Sequence, residues 1–230
     1  MSDEPSTRPQ PSITSRPGGP LLVTGAVPVV RKTAVHSEHG EPLAWKTSDG
    51  LTDSEVYALC RCGESSAKPF CDGTHARQGF EGADTADAST YDDRARTLGG
   101  TGITVRDDRG ICVHAGFCGN RVTNIWKQTR DTEDSMVRLA VINEVEKCPS
   151  GALTYRFDDD DADIEVSRRT EIAAIDDGPL WVTGDITVTT ADGTELETRA
   201  RVTLCRCGHS ANKPLCDGSH KEAGFADKAT

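Results

Sequence analysis

Nine cysteines fall into three local groups along the 230-residue chain, and six of them repeat one arrangement. Cys60-Arg61-Cys62 is followed by Cys71-Asp72-Gly73-Thr74-His75, and Cys205-Arg206-Cys207 by Cys216-Asp217-Gly218-Ser219-His220. Each group offers three thiols and one imidazole, a set that a single tetrahedral zinc ion can use. The spacing suits a binuclear iron–sulfur centre better. A C-x-C pair on extended chain reaches one iron, and a C-x3-H pair, one helical turn apart, reaches a second across bridging sulfides. The third group, Cys112, Cys118 and Cys148, has three thiols and no repeat partner. An odd cysteine total in close clusters, without an export signal at Met1-Ser-Asp-Glu, favours metal binding in a reducing, cytoplasmic compartment over disulfides.

Elements that position these ligands recur with them. Gly19-Pro-Leu-Leu-Val-Thr-Gly25 returns as Gly178-Pro-Leu-Trp-Val-Thr-Gly184, and the blocks Cys60 to Phe80 and Cys205 to Phe225 agree at 13 of 21 positions. The chain therefore holds two copies of one module. Short strands are expected over Leu21 to Val23, Val27 to Arg31 and Val56 to Leu59, and again over Leu180 to Thr183, Ile186 to Thr190 and Ala200 to Leu204. Gly25 to Cys60 spans 35 residues and Gly184 to Cys205 only 21, an excess of 14 around His36 to Gly50 that reads as a surface loop.

The full division is a disordered tail over 1–18, a first module over 19–81, a linker over 82–96, a third unit over 97–157, a linker over 158–177 and a second module over 178–230. In the third unit Ile103 to Val105 and Leu153 to Phe157 read as strands. Glu133 to Lys147 reads as a helix with Met136, Leu139, Ala140, Val141 and Val145 at roughly helical spacing. Asp72 and Asp217 stand where a helix N-cap should, with the positive helix end beside the ligands. Gly79-Phe80 and Gly224-Phe225 read as a helix stop and an apolar contact. Lys68 and Lys213 are either helpful charges near the site or solvated. Arg61 and Arg206 either pair with carboxylates or lie on the surface. His36, His39 and His209 are expected in solvent, and Trp45, Trp126 and Trp181 in packing.

Both copies satisfy C-x-C-x2-[S/T]-x3-P-x-C-D-G-[S/A/T]-H and so resemble the CDGSH iron–sulfur family. The resemblance implies a [2Fe-2S] cluster in each site, with Cys60 and Cys62 on one iron and Cys71 and His75 on the other. Likewise it sets Cys205 and Cys207 opposite Cys216 and His220. It also implies an intertwined β structure in which two motifs face each other, here within one chain. The middle unit, Cys112-Val-His-Ala115-Gly-Phe-Cys118 and then Cys148-Pro149-Ser-Gly-Ala-Leu153, resembles a divergent single-cluster bacterial ferredoxin. Ala115 occupies the usual second cysteine position. Three thiols fit a [3Fe-4S] cluster, and a [4Fe-4S] cluster with water or His114 at the open iron is the alternative. The expected fold is α+β: two CDGSH β-rich modules packed as an intrachain pseudo-dimer, with a small ferredoxin-like domain inserted between them.

Composition narrows the function. Mean hydropathy is -0.50 and no apolar run approaches the roughly 18 residues a bilayer span needs. The formal charge of -11 disfavours nucleic acid. With clusters bound it becomes roughly -15, which calls for a basic-surfaced redox partner. No phosphate loop, nucleophile–base pair or flavin fingerprint is present, so single-electron transfer between a reductase and an acceptor is expected rather than catalysis. Histidine ligation couples that transfer to pH. The alternatives are an iron–sulfur cluster or iron carrier, or a redox sensor. A monomer with internal pseudo-twofold symmetry is expected.

Overall fold

Runs of three to eight β-branched and apolar residues, punctuated by glycine and proline, give twelve strands and four short or medium helices in the computed structural model, which describes residues 10–227. The first module supplies β1 (Ser12–Ser15), β2 (Leu21–Thr24), β3 (Val29–His36), β4 (Pro42–Thr47), β5 (Val56–Leu59) and the single-turn helix α1 (Thr74–Arg77). The middle region contains α2 (Tyr91–Arg94), β6 (Arg96–Gly99), β7 (Ile103–Asp107), α3 (Ile125–Gln128), α4 (Ser135–Lys147) and β8 (Leu153–Phe157). The second module adds β9 (Glu171–Ile175), β10 (Leu180–Thr183), β11 (Thr187–Thr189) and β12 (Arg201–Leu204). Among the described residues no helix is long and apolar enough to cross a membrane.

The modules exchange strands. One sheet runs β11-β1-β2-β5 and the other β12-β10-β9-β3-β4, so the first takes β11 from the second module and the second takes β3, with its hairpin partner β4, from the first. The exchange is symmetric: β11 lies parallel to β1 with Ile13 opposite Val188, and β3 lies parallel to β9 with Val30 opposite Ala173. One apolar core fills the space between the sheets, with Ile13, Leu21, Val23 and Leu59 from one and Ile172, Leu180, Val182 and Leu204 from the other. Strand β9 is buried on both faces, because Ala173 and Ile175 meet Trp181 and Trp45 on the far side.

Several sequence expectations change here. The tail assigned to 1–18 includes β1, whose Ile13 and Ser15 are buried; residues 1–9 lie outside the described residues. The linker over 158–177 contains β9, a central strand, and the linker over 82–96 contains α2 with the buried Tyr91. The 14-residue excess is not a free loop. It forms β4, which pairs with β3 and reaches the middle domain, where Trp45 Nε1 donates to the Lys147 carbonyl at 3.2 Å and Glu41 accepts from the Arg121 amide at 2.7 Å.

Burial of arginine ties the ligand strands to the turns that open each module. Arg61 and Arg206 are each 1% exposed. Arg206 donates to the carbonyls of Gly178 at 2.7 Å and Ile175 at 2.5 Å and pairs with Asp227. Arg61 donates to Gly19 at 3.1 Å and Arg16 at 2.9 Å and pairs with Asp84. The surface alternative for these arginines is thereby excluded. Phe80 and Phe225 stack on the two guanidinium groups, each after a glycine at φ 63° and each donating its amide to the histidine carbonyl five residues back.

The middle domain is an antiparallel sheet, β6-β7-β8, packed by α4 through Val141 and Val145 against Ile103, Val105, Leu153 and Tyr155. Met136 and Leu139, read with these valines at roughly helical spacing, are exposed, because they lie a third of a turn or more from the Val141–Val145 stripe. Asp134 caps α4 by accepting from the Met136 amide at 2.7 Å. The buried Arg201 of β12 grips the domain, donating to the carbonyls of Val145, Glu146 and Leu153 at 3.0 to 3.1 Å.

Replacing Arg206 with Met removes a buried charge from the partly buried Asp227 carboxylate and takes the guanidinium donor from the Gly178 and Ile175 carbonyls, so stability should fall by about 3 kcal/mol. Arg206→Lys should recover little of this, since one ammonium cannot span three acceptors. Urea unfolding midpoints at equal cluster load measure both; midpoints equal to the parent's would contradict the role assigned to Arg206.

Candidate metal centres

Each module brings its ligands together from two segments. The chain leaves β5 into Cys60 and Cys62, and Cys71 returns beside it, its amide donating to Ala58 at 2.9 Å while the Cys60 amide donates to Pro69 at 2.8 Å. The second module repeats this with Cys205 to Pro214 at 2.8 Å and Cys216 to Thr203 at 2.9 Å. The Lys68–Pro69 and Lys213–Pro214 bonds are both cis. Lys68 Nζ donates to the Ser65 carbonyl at 2.6 Å and Lys213 Nζ to that of Ser210, so both lysines close the loop rather than stand free. The first aspartate also clasps it, Asp72 accepting from Ser66 and from the Thr74 amide at 3.0 Å. Asp217 does the same for Ala211 and Ser219.

These aspartates are not N-caps in the expected sense. The capping position is Gly73, the first-module helix is one turn long, and the second module has only hydrogen-bonded turns there. A macrodipole is therefore absent, and local N–H groups take its place: the Gly73 amide donates to Cys71 Sγ at 3.4 Å and the Gly218 amide to Cys216 Sγ at 3.5 Å.

Donor spacing tests what the sites can hold. Cys60 and Cys62 sulfurs stand 3.7 Å apart, as do those of Cys205 and Cys207. Two thiolates on one tetrahedral metal at about 2.3 Å lie roughly 3.7 Å from each other. The Nδ1 atoms of His75 and His220 lie 3.2 and 3.5 Å from Cys71 and Cys216 Sγ, again the spacing of two ligands on one metal. Among the described residues no three His, Cys, Asp or Glu side chains gather closely enough for one metal ion. Two pairs, each at the spacing of two ligands on one metal, suit a binuclear cluster.

Cys62, Cys207 and Cys216 are held protonated in the absence of a metal. Burial pushes Cys62 up to about 11 and Cys216 up to about 12. In the Cys205–Cys207 pair a shared hydrogen bond lowers Cys205 and raises its neighbour. At neutral pH a metal's charge must displace the protons of Cys62, Cys207 and Cys216. Burial, with Lys221 and Arg206 nearby, lowers His220 to about 4, so its ring is neutral and ready to ligate.

The two modules differ in exposure. Cys216 and His220 are 1% and 5% exposed, whereas Cys71 and His75 are half-buried. The sites meet at their C-x-C strands, where Cys62 and Cys207 form an isolated β-bridge. A β-carbon on Gly63 would stand 2.5 Å from the Cys207 carbonyl oxygen, and one on Gly208 would stand 2.7 Å from that of Cys62. The repeated C-R-C-G sequence marked this contact before it could be interpreted.

Cys112, Cys118 and Cys148 line one mainly apolar cavity of about 240 Å³, together with His114, Ala115, Phe117 and Pro149. Burial, then the neighbouring Cys148 and Cys112, pushes Cys118 up to about 11. Three half-buried thiols around a single cavity fit one compact cluster. His36, His39 and His209 are exposed, as expected. Trp126 donates to Asp107 at 3.1 Å, and Trp45 stacks on Phe117 and Trp181 at 4.8 and 5.4 Å; the link from β4 to the middle domain through Trp45 was not foreseen.

Residues 18–76 and 177–221 match the family model described as iron-binding zinc finger, CDGSH type, and residues 98–158 match the model described as divergent 4Fe-4S mono-cluster. No curated protein matches the chain. The order of these matches is that of the three ligand groups, and the chain carries two CDGSH-type iron–sulfur domains with a divergent mono-cluster ferredoxin-type domain between them.

Proposed function

We propose that this protein is a one-electron carrier with three iron–sulfur centres. The observation that carries the reading is the pairing of donors at single-metal spacing in both modules, beside a third cysteine-lined cavity in the same fold. Cys60 with Cys62 and Cys71 with His75 hold one [2Fe-2S] cluster, and Cys205 with Cys207 and Cys216 with His220 hold the other. Cys112, Cys118 and Cys148 hold the third. The match to a four-iron model favours [4Fe-4S] with an open corner near Ala115 over the three-iron state. A bound cluster supplies reversible one-electron chemistry. The chain holds and tunes it: amides of Gly73 and Gly218 donate to the sulfurs, histidine replaces a negative thiolate, and apolar walls exclude water. The acidic surface suits a basic redox partner, and the internal pairing of the modules suits a monomer.

A second reading, release of a cluster to an acceptor, is favoured by the half-buried Cys71–His75 pair, which solvent can reach. Purified protein loaded with its clusters should exchange electrons with a reductase and acceptor faster than it passes iron to an apo-acceptor; the opposite order supports the carrier.

Replacing His75 or His220 with Cys should lower the potential of that site by on the order of 100 mV or more and abolish its pH dependence. Redox titration at several pH values reads both, and an unmoved potential would refute the ligand. Acid should act in two steps. His220 is neutral down to about 4, against about 6.5 in an unfolded chain, so its contribution to stability is full above about 6.5 and is lost as pH falls through about 4. The more accessible first site should therefore bleach at higher pH than the second, and a single transition would contradict this. Ala115→Cys should close the open corner, so that the middle site keeps four irons in air while the parent's falls toward three, read as total iron per chain staying near eight against a fall toward seven.

A further inference from the structure

The middle domain treats the two CDGSH sites unequally. Gly73 and Gly218 occupy the same place in the two motifs and the same left-handed conformation, at φ 83° and 91°. A β-carbon on Gly73 would meet nothing within 4 Å. One on Gly218 would stand 2.7 Å from the His114 ring, 3.5 Å from the Val113 carbonyl carbon and 3.6 Å from the Cys112 carbonyl oxygen. Lys221 Nζ donates to the His114 carbonyl, and Asn212 Nδ2 to that of Gly110 at 3.1 Å, so the second motif is stitched to the loop that opens the middle cysteine group. This docking also explains why Cys216 and His220 are buried while Cys71 and His75 are half-open. The Cys62–Cys207 bridge then joins the second site to the first.

We propose that the Cys112–Ala115 loop is the junction through which the middle site exchanges electrons with the second CDGSH site and not directly with the first, which leaves the first as the terminus open to an external partner. The inference rests on the electron-carrier reading above. Each transfer is a single-electron exchange: one centre is oxidised as its neighbour is reduced, no bond forms or breaks, and the entering electron comes from a low-potential one-electron donor. Packing sets the order, because electronic coupling follows contact between ligand-bearing segments, and only the second motif touches a middle-domain ligand segment in this way.

Anaerobic full-length protein, titrated stepwise with dithionite, tests the order by electron paramagnetic resonance. The power saturation of the middle-site signal should change several-fold at the step in which one CDGSH site is reduced. His220→Cys should move that step to lower potential, and His75→Cys should leave it in place. A step that follows His75→Cys, or no step in a protein whose three signals are all present, overturns the proposal. Absence of any iron–sulfur signal would instead refute the carrier reading itself. A second pair of variants is matched for backbone strain: Gly218→Ala should alter the line shape of the middle site, and Gly73→Ala should not. Equal effects of the two, or none from either, would also overturn it.

Discussion

The carbonyls of Cys62 and Cys207 sit so close to the opposite chain segment that no side chain fits at Gly63 or Gly208. This contact is where the two halves of the fold touch at their ligand strands, and much else follows from it. Backbone meeting backbone across a pseudo-twofold axis fixes the register of the strands behind it, and that register lets β3 and β11 cross into the opposite sheets. The apolar core between the sheets then belongs to neither module alone.

Desolvation is the second organising force. The ligand strands are buried, so the Cys62 and Cys207 thiols keep their protons without a metal, and the intervening Arg61 and Arg206 must find carboxylates and carbonyls inside the protein. Both demands are met by the same short segment: sulfur on alternate residues faces the site, and the guanidinium between them faces the turn that begins the module. Metal binding and folding are thereby coupled, since the strand that presents the sulfurs is also the one that anchors the turn.

Much of this was legible in residue types and spacing. The two-copy organisation and the α+β class follow from motif and repeat, and the exchange of strands from the family resemblance. What stayed hidden has physical causes. Strand β9, Glu-Ile-Ala-Ala-Ile, is buried on both faces, so it lacks the alternation that marks a half-exposed strand, and it lay in a stretch taken as linker. Strand β1 owes its order to two neighbouring strands and not to its own Ser/Thr-rich composition. The inner face of α4 is not marked by apolar spacing alone, because Met136 and Leu139 are apolar yet exposed. The hairpin reaching from β4 to the middle domain depends on Trp45 and Glu41 meeting residues about 100 and 80 positions away, a contact with no local signature.

Because β3 and β11 make equivalent parallel pairings, a lone half of this chain would carry both a strand to give and an edge awaiting one. Two identical halves placed about a true dyad would satisfy each other by the same ladder. The single polypeptide thus reads as a fused homodimer whose symmetry was then broken on one side, where the hairpin and the middle domain cover one half and leave the other bare.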